Sequence, residues 1–127
     1  MNDVEEIRQL SARYNHAGDG DDLAGWLACF SADGLFRRSD GTRVWRGEEQ
    51  LSQLFSSYPV SGRHLTSDHV IDVDGDSATQ TCYLVFLDRA RGFAIHMIGV
   101  YHDHLVRDEG AWRFSERMLE VDFCVDE

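Results

Sequence analysis

Residues 64–123 read HLTSDHVIDVDGDSATQTCYLVFLDRARGFAIHMIGVYHDHLVRDEGAWRFSERMLEVDF. Three turn signals, Asp74-Gly75-Asp76, Asp88 to Gly92 and Arg107 to Gly110, divide this stretch into four segments. Val, Ile, Thr, Tyr and Phe crowd the segments, and their branched or aromatic side chains suit a pleated surface. Short Gly-containing connections join antiparallel neighbours, so four consecutive antiparallel strands are expected. Alternation along them sorts the side chains by face. Leu84 and Phe86, then Met97, Gly99 and Tyr101, then Arg117, Leu119 and Val121 form one set. His96, Ile98, Val100, His102 and His104 have the opposite parity to Met97 and Tyr101.

Upstream the period changes from two to that of a helix. From Asp3 the apolar positions Val4, Ile7, Leu10 and Tyr14 recur at helical spacing, with Asn2 or Asp3 available as a cap. Gly18-Asp19-Gly20-Asp21 ends this helix, and Asp21 or Asp22 can cap a second one carrying Leu23, Trp26, Leu27 and Phe30. Short extended pieces at Leu35 to Arg37 and Arg43 to Trp45 flank the turn Ser39-Asp40-Gly41. A third helix is predicted from Glu48 to Tyr58, presenting Leu51, Leu54 and Phe55 and stopped by Pro59. Helices gathered ahead of a single sheet must cover it, which predicts one α+β domain over residues 1–127. For the helices to enclose an interior the sheet must bend strongly, and such a cone leaves an apolar pocket open at one end.

The charge narrows the partners. With 127 residues, 23 acidic against 12 basic side chains give a formal net charge of −11, which repels nucleic acid and anionic membrane surfaces. No apolar run approaches the roughly 18 residues that a membrane span requires. The opening MNDVEEIRQL carries acids where a secretory leader has a basic and then an apolar stretch, so a cytoplasmic location is expected. Cys29, Cys82 and Cys124 are odd in number and lack C-x-x-C spacing, and are expected to be reduced and structural. No phosphate loop, dinucleotide fingerprint or G-x-S-x-G elbow occurs. His102-x-His104 points two imidazoles to one face, but no further ligand joins them at a characteristic spacing. Neither cofactor nor metal is therefore expected.

Several short pieces, in order, carry a resemblance that spans nearly the whole chain. They are Tyr14 with Asp19, Phe30-Ser-Ala-Asp33-Gly34, Trp45-Arg-Gly47, Arg63-His64-Leu-Thr66, Asp72-Val-Asp-Gly-Asp76, and Trp112-Arg-Phe before Arg117. In these the chain resembles the SnoaL-like branch of the nuclear transport factor 2-like superfamily. Within that branch it is similar to bile acid 7α-dehydratase, scytalone dehydratase and hexachlorocyclohexane dehydrochlorinase. The resemblance implies an NTF2-like cone of three N-terminal helices on a strongly curved, mostly antiparallel sheet. It implies an Asp-His pair on Asp19 and His64, a phenol on Tyr14 and an anion-holding guanidinium on Arg117. It also places the Arg117, Leu119 and Val121 parity inside the cone. A second active-site His of scytalone dehydratase has no counterpart between Leu84 and Asp88.

The chemistry can be argued without the resemblance. An isolated imidazole titrates near about 6.5 and accepts a proton at neutral pH once its tautomer is fixed, which a carboxylate on one ring nitrogen does. Asp19 and His64 would then form a general base, with Tyr14 donating to a leaving oxygen and Arg117 holding an anion. Read structurally instead, Asp19 is a helix cap, Tyr14 a core residue and Arg117 a surface strand residue. Phe36, Phe55, Leu84, Phe86, Met97, Tyr101, Leu119 and Val121 are the expected pocket wall, and they imply an apolar, ring-sized ligand. The function expected is cofactor-independent elimination, of dehydratase type, from a hydrophobic cyclic molecule. Isomerisation or cyclase-type proton transfer in the same pocket, and a non-catalytic binding or assembly module, are the alternatives. An outer face of His96, Ile98, Val100 and His102 is too apolar to stand alone, so a homo-oligomer is expected. The resemblance implies a trimer or a dimer.

Overall fold

The computed structural model describes residues 2–125. The expected single domain over 1–127 thus runs past the described residues at both ends. The fold is mixed α+β, with a six-stranded curved sheet and three helices. Helix α1 (Asp3–Asp19) opens on Asn2, whose side chain accepts from the Glu5 N–H at 2.8 Å, and it buries Ile7, Leu10, Tyr14 and Ala17. Helix α2 (Leu23–Leu27) is capped by Asp22 through Gly25 N at 3.0 Å. Strand β1 (Phe30–Arg38) and strand β2 (Val44–Arg46) form the small hairpin, and helix α3 (Gly47–Ser57) follows. Four long strands complete the chain: β3 (Gly62–Asp74), β4 (Ser77–Asp88), β5 (Ala94–Asp108) and β6 (Ala111–Cys124).

The sheet order is β2-β1-β6-β5-β4-β3, with β1 and β6 the one parallel pair among the described residues. That pair corrects one expectation. Phe30 does not end the second helix but opens β1, because the Cys29 carbonyl accepts from Phe114 N at 2.8 Å and draws the chain onto β6. A hydrogen-bonded partner across the sheet outweighs one further residue of a five-residue helix, whose intrinsic stability is marginal.

Register shifts in β3 to β6 allow the sheet to bend. One of them corrects a second expectation. Phe86 pairs with Met97 and Leu87 with Ile95, so His96 has no partner on β4 and turns inward, only 3% exposed. The outer face loses that imidazole. In exchange, Leu65, Val85, Ile98 and Phe123 fall opposite one another across four strands, and all but half-buried Val85 are exposed.

Gly62 lies where β3 meets the end of β4, and a Cβ built there would overlap the Leu87 carbonyl, which is backbone and cannot step aside. Gly62→Ala is therefore expected to lower stability by about 1–3 kcal/mol, read as a reduced urea midpoint. An unchanged midpoint would show that the strand ends separate without cost.

Candidate active site

Asp19 is the last residue of α1, and His64 is the third residue of β3, opposite Phe86 on β4. The helix stops here because Gly20 closes it, its N–H donating to the His16 carbonyl at 2.9 Å. Asp19 Oδ1 stands 2.6 Å from His64 Nδ1. Both carboxylate oxygens also accept from the His64 backbone N–H, at 3.2 and 3.0 Å, and Arg63 Nε lies 3.8 Å from Oδ2. One carboxylate is thereby tied to a side chain and to that residue's own backbone, which leaves the imidazole little freedom. The ring also stacks on Phe86, with centroids 4.1 Å apart and planes at 23°. With Nδ1–H donating to the carboxylate, Nε2 keeps its lone pair.

The pair forms part of the wall of a cavity of about 530 Å³. Phe36 and Phe55 close it on one side, and Leu84, Phe86, Met97, Tyr101 and Leu119 form the sheet side. Val121, expected in this wall, lies outside it. The shift in register that pairs Gly99 with Val121 and Ile98 with Phe123 carries that end of β6 away, although Val121 still packs against the core. Trp26, Trp45 and Tyr58 line the cavity unforeseen. Trp26 sits on the apolar side of its helix, where a wall residue and a core residue read alike.

Tyr14 also lines the cavity, and its ring packs against Trp26, Phe30, Tyr101 and Phe114. Burial pushes its hydroxyl up to about 12, against partial relief from Arg117 and from a hydrogen bond with Trp26. The phenol therefore remains a proton donor throughout the physiological range.

Arg117 does not face the cavity. Its guanidinium is fully buried beneath the floor, 3.6 Å from the Tyr101 ring centroid and 4.4 Å from those of Tyr14 and Phe114. Nε donates to Asp103 Oδ1 at 3.1 Å, and Gln80 Nε2 donates to Asp103 Oδ2 at 2.9 Å. Gln80 in turn meets Ser11 and His69. The expected contact of Arg117 with a substrate anion is thus replaced by an internal ion pair. Burial raises the Asp103 carboxyl, and the guanidinium and Gln80 pull it down. Alternation carries the signal for this pair: Asp103 shares the inward parity of Tyr101 and Leu105 on β5 and falls opposite Arg117 on β6.

The buried acids predict an alkaline limit. Tyr14 is raised to about 12, and Cys29 and Cys82 are each raised to about 11 from ordinary values of 10 and 9, all chiefly by burial. An acid held neutral in the fold but free to ionise when unfolded stabilises the fold below its unfolded value, and that stability is lost as pH rises. Stability should therefore decline between about pH 9 and pH 12, measured as a falling melting temperature. A flat profile over this window would mean these groups are hydrated in the fold.

A second, more polar groove of about 660 Å³ lies between α1 and β3, where Arg8, Asn15, His16 and His69 join Asp19 and His64 in its wall. Asp19 and His64 thus line both the cavity and the groove. Among the described residues, no group of three or more His, Cys, Asp or Glu side chains is arranged to hold a metal ion. No helix among them is long and apolar enough to cross a membrane.

A curved sheet and a helix-covered cavity with an acid-imidazole contact in its wall define an NTF2-like fold. The chain belongs to the SnoaL-like domain family, which it matches over residues 1–118. It is similar to a variant of Rv3472, a protein of unknown function from Mycobacterium tuberculosis, at 36% identity and a TM-score of 0.88, covering 97% of this chain and 73% of that one. A Catenulispora acidiphila protein in complex with S-DNPA is 28% identical, with a TM-score of 0.80 and coverage of 94% and 92%. A scytalone dehydratase-like protein from Novosphingobium aromaticivorans shares the fold at 19% identity, with a TM-score of 0.83 and coverage of 98% and 87%. No functionally curated protein matches the chain.

Proposed function

We propose that this protein is a cofactor-independent lyase that removes a proton and a leaving group from a hydrophobic cyclic molecule. The observation that carries the reading is the 2.6 Å contact between Asp19 Oδ1 and His64 Nδ1 in the wall of an apolar cavity. In this reading Nε2 of His64 takes a proton from a carbon made acidic by a neighbouring carbonyl. The Asp19 carboxylate stabilises the imidazolium that forms. The Tyr14 hydroxyl donates to the departing oxygen, and the imidazolium returns the proton to it, so the leaving group departs as water. Arg117 acts at one remove, as a fixed positive charge beneath Tyr14 and Tyr101 that favours negative charge developing above them.

Proton transfer without loss of a group, as in an isomerase or a polyketide cyclase, uses the same base and the same pocket. The family membership and the dehydratase-like fold neighbour support either chemistry. The test is a panel of cyclic β-hydroxy ketones followed by ultraviolet absorbance. Elimination creates a conjugated enone that absorbs and has lost the mass of water, whereas an isomerised product keeps the mass of its starting ketone and binding alone changes neither absorbance nor mass.

The apolar stripe of Leu65, Val85, Ile98 and Phe123 on the outer face of the sheet supports a homo-oligomer, trimer or dimer. Light scattering at micromolar concentration is expected to return a multiple of 14.5 kDa. The Ile98→Asp variant is expected to shift it to the monomer. A monomer mass for the unmodified protein would remove the claim.

A further inference from the structure

The cavity changes character toward solvent. Its exposed lining residues, Asp21, Arg43, Tyr58, Ser61 and Arg89, mark the opening, and half-buried Arg38 joins them. Arg38 and Arg43 come from the two sides of the β1–β2 hairpin, joined through Arg38 N and the Arg43 carbonyl at 3.1 Å. Arg89 comes from the turn after β4, held by its N–H on the Ser61 carbonyl at 2.9 Å, with its guanidinium 5.3 Å from the Phe93 ring centroid. The chain has only 12 basic residues against 23 acidic ones, so the cavity opening holds a quarter of its basic side chains.

Among the described residues, few acids face this group. Asp21 lies on the rim, and Asp40, bonded to Thr42 at 2.6 Å, is close enough for Arg38 and Arg43 to lower its pKa. Asp19 is deeper and engaged with His64. At physiological ionic strength charges beyond roughly 8–10 Å are screened, so an arriving ligand senses these local arginines rather than the net −11. A guanidinium presents a planar fork of donors that fits an oxyanion and is weakly hydrated, which suits it to the edge of an apolar cavity.

We infer that the ligand of this cavity is an amphipathic organic anion, with an apolar ring body inside and an oxyanion, carboxylate, sulfonate or phosphate, at its outer end against Arg43 and Arg89. The inference deepens the reading of an apolar cyclic substrate and rests on it. The arginines fix which end of the molecule enters first and so which ring carbon reaches His64. A neutral ring of the same shape has no such constraint.

The test compares anilinonaphthalene sulfonate with the neutral N-phenylnaphthylamine, which keeps the rings and lacks the sulfonate. Both brighten in an apolar site and can accept energy from the chain's three tryptophans, of which Trp26 and Trp45 line the cavity. The sulfonate is expected to bind about tenfold more tightly at low salt, an advantage that shrinks as salt rises. Arg43→Gln and Arg89→Gln are each expected to weaken it by about three- to tenfold and to leave the neutral probe unchanged. Arg91→Gln, close in sequence to Arg89 but outside the cavity wall, is expected to change neither. Equal affinities for the two probes, with sulfonate binding indifferent to both variants, would overturn the inference while leaving the apolar pocket intact. Failure of either probe to accept energy from the tryptophans would overturn the apolar-ring reading beneath it. Displacement of the sulfonate by millimolar inorganic phosphate, with the neutral probe retained, would assign the arginines to a free anion and also overturn the inference.

Discussion

His64→Ala is expected to lower the rate of elimination by about 10²–10⁴-fold, the range that a positioned general base contributes, without loss of the folded circular dichroism spectrum. The expectation follows from a single accepting atom. With Nδ1 committed to Asp19, no other neutral nitrogen base among the cavity-lining side chains can replace Nε2. Asp19→Asn should cost at least about tenfold, because an amide can present either a donor or an acceptor to Nδ1 and no longer selects the tautomer. Tyr14, raised to about 12, remains a donor well above neutrality and imposes no alkaline fall there. A His64→Ala rate near that of the unmodified protein would take the imidazole out of the chemistry and leave ligand binding without turnover as the reading.

The largest loss of stability is expected from Asp103→Leu. It strands the Arg117 guanidinium, fully buried among Tyr14, Tyr101 and Phe114 and already carrying one nitrogen, Nη1, without a hydrogen-bond partner among the described residues. Breaking a buried pair on one side costs about 3–5 kcal/mol, a large share of the 5–15 kcal/mol that usually separates folded from unfolded chains. Urea unfolding should show it as a lowered midpoint with little change in slope. The double variant Asp103→Leu, Arg117→Met removes both charges and should recover most of the loss, because well-packed apolar side chains replace a buried pair at little cost. Equal instability of the single and double variants would mean that the pair's packing, rather than its charge, holds the floor of the cavity.

The site was partly legible because its elements announce themselves locally. Asp19 stands out in a Gly-Asp-Gly-Asp helix stop and His64 at the start of a long strand, and each position follows from backbone signals a few residues wide. Their meeting across 45 positions was drawn from resemblance rather than from periodicity. The arginines at the cavity opening left no such trace. Arg38 and Arg43 sit in one hairpin and Arg89 in a turn some fifty residues away, and no local rule links them.

The sequence by itself determined the class of the fold, the three helices and the four long strands. Caps, turn residues and hydrophobic period act on the backbone over one or two turns of chain, so they survive without knowledge of neighbours. Tertiary structure alone decided that Phe30 begins a strand, that His96 faces inward, that Val121 leaves the wall and that Arg117 turns to Asp103. Each of these depends on strand register or on the nearest countercharge. A slip of one residue exchanges the two faces of a strand, and a buried charge takes whatever partner lowers its desolvation cost. Both are settled only when distant segments meet.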